Sequence, residues 1–285
     1  MTEIPISAPT YRSLLLKLYW LNPDNEYKEL STGTGFLVQH EFRDYLITNR
    51  HVLSGRTTSG EYISSHGVAP THVRILHNSV WKLGEYIELE EPLFDEPDVN
   101  QRRPRWLEHP RGFKVDVVAL PVTRDGKDYK SQIIRHRYEL PDTTAPRPYL
   151  RPSDTVHIVG FPFGLTSHGS FAIWTKGSMA SEPELDYGDA PRFLVDARTR
   201  EGQSGSPVIV HFSSNTPPMM FTDNTMRSHI VEKSYLLGVY SGRVNKASDI
   251  GIVWKASIVA TILKKQLRNP LPAEDEYTDS LIPTL

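Results

Sequence analysis

Apolar positions in this chain fall in short runs rich in Val, Ile, Leu, Phe and Tyr. They occupy residues 14–21, 35–39, 45–48, 72–76, 115–122, 155–159, 171–174, 193–195, 208–212, 235–240 and 250–254. Gly, Pro, Asn and Asp bound most of them, which is the punctuation of strands rather than helices. Many short strands at close spacing predict antiparallel barrels or sandwiches. One stretch has helical period: Ile258, Val259, Ile262, Leu263 and Leu267 share a face, with Ser257 as candidate cap and Lys264, Lys265 and Arg268 at the C-terminal end. Asn269-Pro270 stops it, and residues 269–285 read as an acidic, Pro-containing tail.

Two long loops interrupt the strand pattern, at 91–111 and 213–229. Pro141, Pro146, Pro148 and Pro152 mark the best boundary, dividing the strands into residues 1–145 and 146–268. No internal repeat or low-complexity block is present.

Composition narrows the function. The 285 residues hold 32 Lys+Arg against 34 Asp+Glu, a formal net charge of −2, which argues against a dedicated binder of nucleic acid or anionic membrane. There is no cysteine, so disulfides, a thiol nucleophile and cysteine-held metals are excluded, and a reducing compartment fits. No apolar run approaches the ~18 residues of a membrane span, and 13–20 lacks the basic lead-in and small-residue cleavage site of a signal peptide. The expectation is a cytoplasmic protein that needs no metal and no organic cofactor.

The most informative string is Gly202-Gln203-Ser204-Gly205-Ser206-Pro207. A serine hydroxyl becomes a nucleophile only when a base takes its proton and fixed donors receive the oxyanion. Small residues around Ser204 let the chain turn tightly, so the Gly202 and Ser204 N–H groups can point into one pocket. On this string alone, a Gly/Ser turn between strands reads equally well. His51 follows a short apolar strand in Leu46-Ile47-Thr48-Asn49-Arg50-His51-Val52 and is the candidate base. Asp116 sits within Val115-Asp116-Val117-Val118-Ala119-Leu120, where a charge is costly unless partnered, and is the candidate carboxylate that orients the imidazole. Asp44, Asp95 and Asp98 are weaker rivals in loop-like surroundings. His72 and His77 lack metal-ligand spacing, Arg102, Arg103 and Arg105 read as a solvated basic cluster, and Phe161-Pro162-Phe163 reads as barrel packing.

The order is His51, Asp116, Ser204, with spacings of 65 and 88 residues. It is the order of chymotrypsin-like enzymes, whereas an α/β-hydrolase elbow would need glycine where Ser206 stands. With Thr32-Gly33-Thr34-Gly35-Phe36, Gly160-Phe161-Pro162-Phe163-Gly164-Leu165 and Gly238-Val239-Tyr240-Ser241-Gly242 also in register, the chain resembles the trypsin-like (chymotrypsin-fold) serine peptidases. Within them it is similar to the disulfide-free bacterial type, that is, the high-temperature-requirement proteases and glutamyl endopeptidases. The likeness runs over roughly residues 12–268. It implies an all-β chain of two antiparallel Greek-key β-barrels with a C-terminal α-helix, the first barrel carrying His51 and Asp116 and the second Ser204.

The resemblance implies a serine endopeptidase acting on a protein or peptide substrate through an acyl-enzyme. It places Arg198, Tyr240, Ser241, Gly242 and Arg243 at the substrate cleft. Arg198 and Arg243 either pair with an acidic substrate side chain or point to solvent, and Ser241 either hydrogen-bonds Asp116 or is an ordinary strand serine. Gln203 replaces the acidic neighbour that pairs with a newly cut N-terminus in pancreatic-type relatives, so no N-terminal processing is expected. Residues 54–111 are expanded, and no PDZ-like domain or trimerisation extension is evident. The alternatives are a non-catalytic interaction module that binds a regulatory protein through the long loops, and an esterase-type acyl hydrolase using the same triad.

Overall fold

The computed structural model describes residues 6–95, 103–123, 132–142, 144–245 and 247–272. The first half runs through helix α1 (Ala8–Arg12), strands β1 (Ser13–Leu21), β2 (Tyr27–His40) and β3 (Arg43–Thr48), helix α2 (Arg50–Ser54), and strands β4 (His72–Ser79), β5 (Tyr86–Pro92), β6 (Leu107–Glu108), β7 (Val118–Pro121) and β8 (Ile133–Ile134). These strands form one sheet in the order β5-β4-β1-β2-β3-β7-β6, with β8 against β4. The two ends of that sheet approach each other just beyond the strands. Phe94 bridges Pro104, and the Arg105 N–H donates to the Leu93 carbonyl at 2.9 Å.

The second half comprises β9 (Thr155–Gly160), β10 (Ile173–Met179), β11 (Arg192–Asp196), β12 (Pro207–Phe212), β13 (Met219–Met220), β14 (Met226–Arg227), β15 (Lys233–Arg243), β16 (Ile250–Lys255) and helix α3 (Ser257–Lys265). Six of them close a barrel in the order β10-β11-β16-β15-β12-β9, and β13 and β14 form a separate two-stranded sheet. The fold class expected from the sequence is the one observed: strands dominate, and one helix closes the chain.

Period-2 geometry explains why the central strands read as unbroken apolar runs rather than alternating ones. Leu14, Leu16 and Leu18 fill the interior of the first sheet with Leu37, Leu46, Val118 and Leu120. Val156, Ile158, Val208, Val210 and Tyr240 fill the second barrel. The intervening residues Leu15, Phe36, Val38, Ile47, Ala119, Val159, Ile209 and Val239 turn outward into a third core, shared between the halves and covered by Ile258, Val259, Ile262 and Leu263 of α3. Each such strand is thus apolar on both faces, and the shared core fixes how the two halves face one another.

Three local expectations change. Strand β5 was not foreseen, because its sequence carries Glu88, Glu90 and Glu91; Lys17 and Arg74 pair with Glu88 and Glu90 at 2.6 and 2.9 Å. Ser257 is the first helical residue rather than the cap; Ala256 holds the cap position, and the helix ends in left-handed Gln266. The helix also stops short of the expected Leu267 and Arg268, which instead tie the chain to the first half: the Glu108 N–H donates to the Leu267 carbonyl at 2.8 Å and Arg268 Nε to the Pro104 carbonyl at 2.8 Å. Residues 273–285 lie outside the described residues.

Candidate active site

Strand β3 ends at Thr48, and Asn49 leaves it in extended conformation before α2 begins. The Asn49 side chain is buried and donates to the Asp116 carbonyl at 2.7 Å, which anchors the start of α2 to the segment before β7. Two contacts then join His51 to Asp116: its backbone N–H donates to Oδ1 at 2.8 Å, and its ring Nδ1 lies 2.6 Å from Oδ2. From the second half, Ser241 Oγ donates to the same Oδ2 at 2.5 Å. An ionised carboxylate only accepts, so Nδ1 carries the proton and Nε2 keeps its free lone pair. Burial is the largest single influence on His51 and pushes its pKa down. The charge of Asp116 and its hydrogen bond together outweigh that, and the net pKa is raised above 6.5.

Ser204 lies in the connection from β11 to β12, which is two successive tight turns. In the first, Gln203 N–H bonds the Arg200 carbonyl at 3.2 Å with Gly202 at φ 87°; in the second, Ser206 N–H bonds the Gln203 carbonyl at 3.0 Å with Gly205 at φ 88°. Positive φ at the third position is the signature of a type II turn. Only glycine suits either place: a Cβ on Gly202 would lie 2.4 Å from the Phe161 carbonyl oxygen, and one on Gly205 2.0 Å from that of Thr34. Gln203 is fully buried beneath the turns; its Oε1 accepts from Arg200 N–H and its Nε2 donates to Thr175 Oγ1, both at 2.8 Å.

Loop and strand are joined next to the serine. The Gly205 N–H donates to the Tyr240 carbonyl and the Tyr240 N–H to the Ser206 carbonyl, each at 2.9 Å. The residue after Tyr240 is Ser241, which bonds Asp116. Fold and hydrogen bonds therefore bring His51, Asp116 and the Ser204 loop to one place between the halves. Among the described residues, the Gly202 and Ser204 N–H groups have no acceptor, and Ser204 Oγ makes no hydrogen bond to His51.

One residue that sequence reasoning passed over holds this place together. Thr34 of β2 is fully buried, its N–H donates to the Ser204 carbonyl at 2.9 Å, and its carbonyl accepts from Thr48 Oγ1 at 2.7 Å. Its own hydroxyl donates to the Gly202 carbonyl at 2.8 Å and accepts from the Phe161 N–H at 3.1 Å. The available signal was a threonine between two glycines, immediately before the apolar run Phe36-Leu37-Val38.

The remaining candidates separate. Tyr240 is buried in the second barrel, its hydroxyl bonded to Thr199. Gly242 is open on its Cβ side at φ 130°. Arg198 is exposed and Arg243 half-buried, and neither side chain makes a hydrogen bond or ion pair among the described residues. Asp44 is not a loop carboxylate but a buried one, held 3.1 Å from Arg135 and 2.5 Å from Arg137, whose hydrogen bonds and charge bring its pKa below the usual range against the pull of burial. Asp95 pairs with Arg268 at 2.5 Å, and Asp98 and Arg102 lie outside the described residues. Phe161 packs in the shared core as expected, whereas Phe163 is exposed. Among the described residues, no three His, Asp or Glu side chains cluster as metal ligands would.

A family model described as Trypsin-like peptidase domain matches residues 33–211, more than half of the chain. Among solved structures, the crystal structure of the Rv3671c protease from M. tuberculosis in its active form is 17% identical, with a TM-score of 0.46 over 94% of this chain and 86% of that one. No curated protein matches.

Proposed function

The chain belongs to the trypsin-like peptidase domain family, and from that premise we propose that it is a serine endopeptidase that works through His51, Asp116 and Ser204. In this reading His51 Nε2 takes the proton of Ser204 Oγ as the oxygen attacks a peptide carbonyl. The same proton then goes to the leaving amine, and water hydrolyses the acyl-enzyme by the reverse sequence. Asp116 holds the tautomer and stabilises the imidazolium, which fits its 2.6 Å contact to Nδ1. The N–H groups of Gly202 and Ser204 receive the oxyanion. We assign His51 and Asp116 to a unit spanning 1–145 and Ser204 to one spanning 146–268.

The observation that carries this reading is the pair of unpartnered N–H groups beside Ser204, in a loop bonded to the strand that supplies Ser241 to Asp116. Two adjacent free donors cost stability in a half-buried turn and gain it only when an anion arrives; one such donor supplies about 3–4 kcal/mol to a tetrahedral intermediate.

A fluorophosphonate probe on the purified chain tests the proposal. We expect covalent labelling at Ser204, none in Ser204→Ala, and casein cleavage that falls in that variant by a factor on the order of 10⁶. A folded chain that takes no label would overturn the reading in favour of a binding module. Labelling with ester turnover but no peptide cleavage would replace it with an acyl hydrolase.

A further inference from the structure

The turn between β9 and β10 keeps two large apolar side chains in solvent: Phe163 is 62% and Leu165 57% exposed. Its backbone makes this an expensive place for a phenylalanine. Phe163 has φ 54° and Gly164 φ 70°, and the Leu165 N–H donates to the Pro162 carbonyl at 2.9 Å. Two positive φ values at the centre of a hydrogen-bonded turn mark type I′, where Asn and Gly are favoured and a bulky residue is a genuine outlier. The hairpin turn between β2 and β3 carries the same combination at Phe42, with φ 60° and 84% exposure; Phe163 differs in its place beside the nucleophile loop, and strain of this kind concentrates at working sites.

The turn lies against the nucleophile loop. The Phe163 N–H donates to the Glu201 carbonyl at 2.6 Å, and a Cβ on Gly202 would meet Phe161 O, Phe163 N and Gly164 N within 2.4–3.1 Å. It therefore borders the candidate oxyanion pocket on the Gly202 flank, while Gly205 and Ser206 bond Tyr240 of β15 on the other. Strand β12 pairs with β15 only as far as Pro207 and Val239, so residues 241–243 offer an open strand edge to one half of an extended peptide. The other half then crosses Gly202 toward the turn.

We infer that Phe163 and Leu165 form an apolar subsite for the first residues on the leaving-group side of the scissile bond. The protein thus selects substrates with a large apolar side chain there. The inference rests on the peptidase reading above and names the substrate class for that same site.

Two internally quenched peptides, identical except for Leu or Asp immediately after the scissile bond, test it. Wild type should favour Leu by about tenfold or more in kcat/KM, as apolar pockets discriminate. In Phe163→Asn, which suits the turn's backbone, and in Leu165→Ser, where φ is an ordinary −74°, the ratio should collapse toward one. Fluorophosphonate labelling, which needs no leaving-side residue, should fall less than peptide cleavage. The inference is overturned if a folded variant keeps the wild-type Leu preference, if labelling falls as far as cleavage, or if wild type shows no preference. A wild-type chain that labels no serine and cuts neither peptide instead sinks the peptidase reading, so the two failures are distinguishable.

Discussion

The two halves of the molecule build their parts of the site by different means. Among the described residues, the first half buries the charged side chains of Asp44, Arg50, Glu91, Glu108 and Asp116, and the second half only that of Arg192. His51 is held by charge: Asp116 binds it directly. On the preceding residue, Arg50 Nε meets Glu108 Oε1 at 2.9 Å, and Trp106 Nε1 donates to the same oxygen at 2.9 Å. Ser204 is held by backbone, in glycine turns that a single Cβ would break. The difference suits the two tasks proposed for them. A base needs an oriented ring and a tuned pKa, which a fixed counter-charge supplies. An oxyanion needs N–H vectors aimed at a point, which only backbone conformation supplies.

The largest effect that tests this contrast is on the charge side. Asp116→Asn should lower peptide turnover by about 10⁴ by presenting the wrong imidazole tautomer. Turnover near wild type would show that Asp116 does not orient the base. Next, Arg50→Met strands Glu108 in the interior and should cost about 3–5 kcal/mol in urea unfolding, whereas Arg50→Met with Glu108→Gln should recover more than half of the loss. Equal losses in the single and double variants would mean that the ion pair does not fix α2.

On the backbone side, Thr34→Val keeps shape but strips a buried acceptor at Phe161 N–H and a buried donor to the Gly202 carbonyl. It should destabilise the protein by about 1–3 kcal/mol and slow probe labelling at Ser204, while the ring NMR signals of His51 stay in place. If those signals move instead, the two devices are not separate.

The smallest effect is a pH midpoint. In the proposed mechanism neutral His51 is the base, and its pKa is raised above 6.5, so turnover should rise with pH through a midpoint above 6.5. The sign for stability is opposite. A raised histidine pKa means that the folded state binds the proton more tightly, so the pair's contribution is complete below pH ~6.5 and fades as pH climbs through the folded value. A turnover midpoint below 6.5 would remove the net effect of Asp116 on His51.

Much of this was legible in the chain before any coordinates. The strands of both halves are local runs of Leu, Val, Ile, Phe and Tyr, and α3 shows its face through Ile258, Val259, Ile262 and Leu263. Gly202 and Gly205 mark tight turns because no other residue tolerates φ near 87° there. His51, Asp116 and Ser204 stood out as a set, through their order along the chain and the glycine motifs beside them, rather than one by one. Strand β5 was hidden, since Glu88 and Glu90 become acceptable on a strand only once Lys17 and Arg74 lie opposite them.

What the sequence settled by itself is whatever depends on neighbours a few residues away: strand runs, glycine turns, the helix stripe and the absence of thiol chemistry. Long-range partnership was decided only in three dimensions. The Thr34 hydroxyl meets Gly202 across 168 residues, Ser241 reaches Asp116 across 125, and Arg50 finds Glu108 across 58. No local pattern encodes these contacts, because each partner alone is an ordinary polar residue. Their pairing arises when the shared apolar core fixes the two halves and leaves buried polar groups only one another to bind.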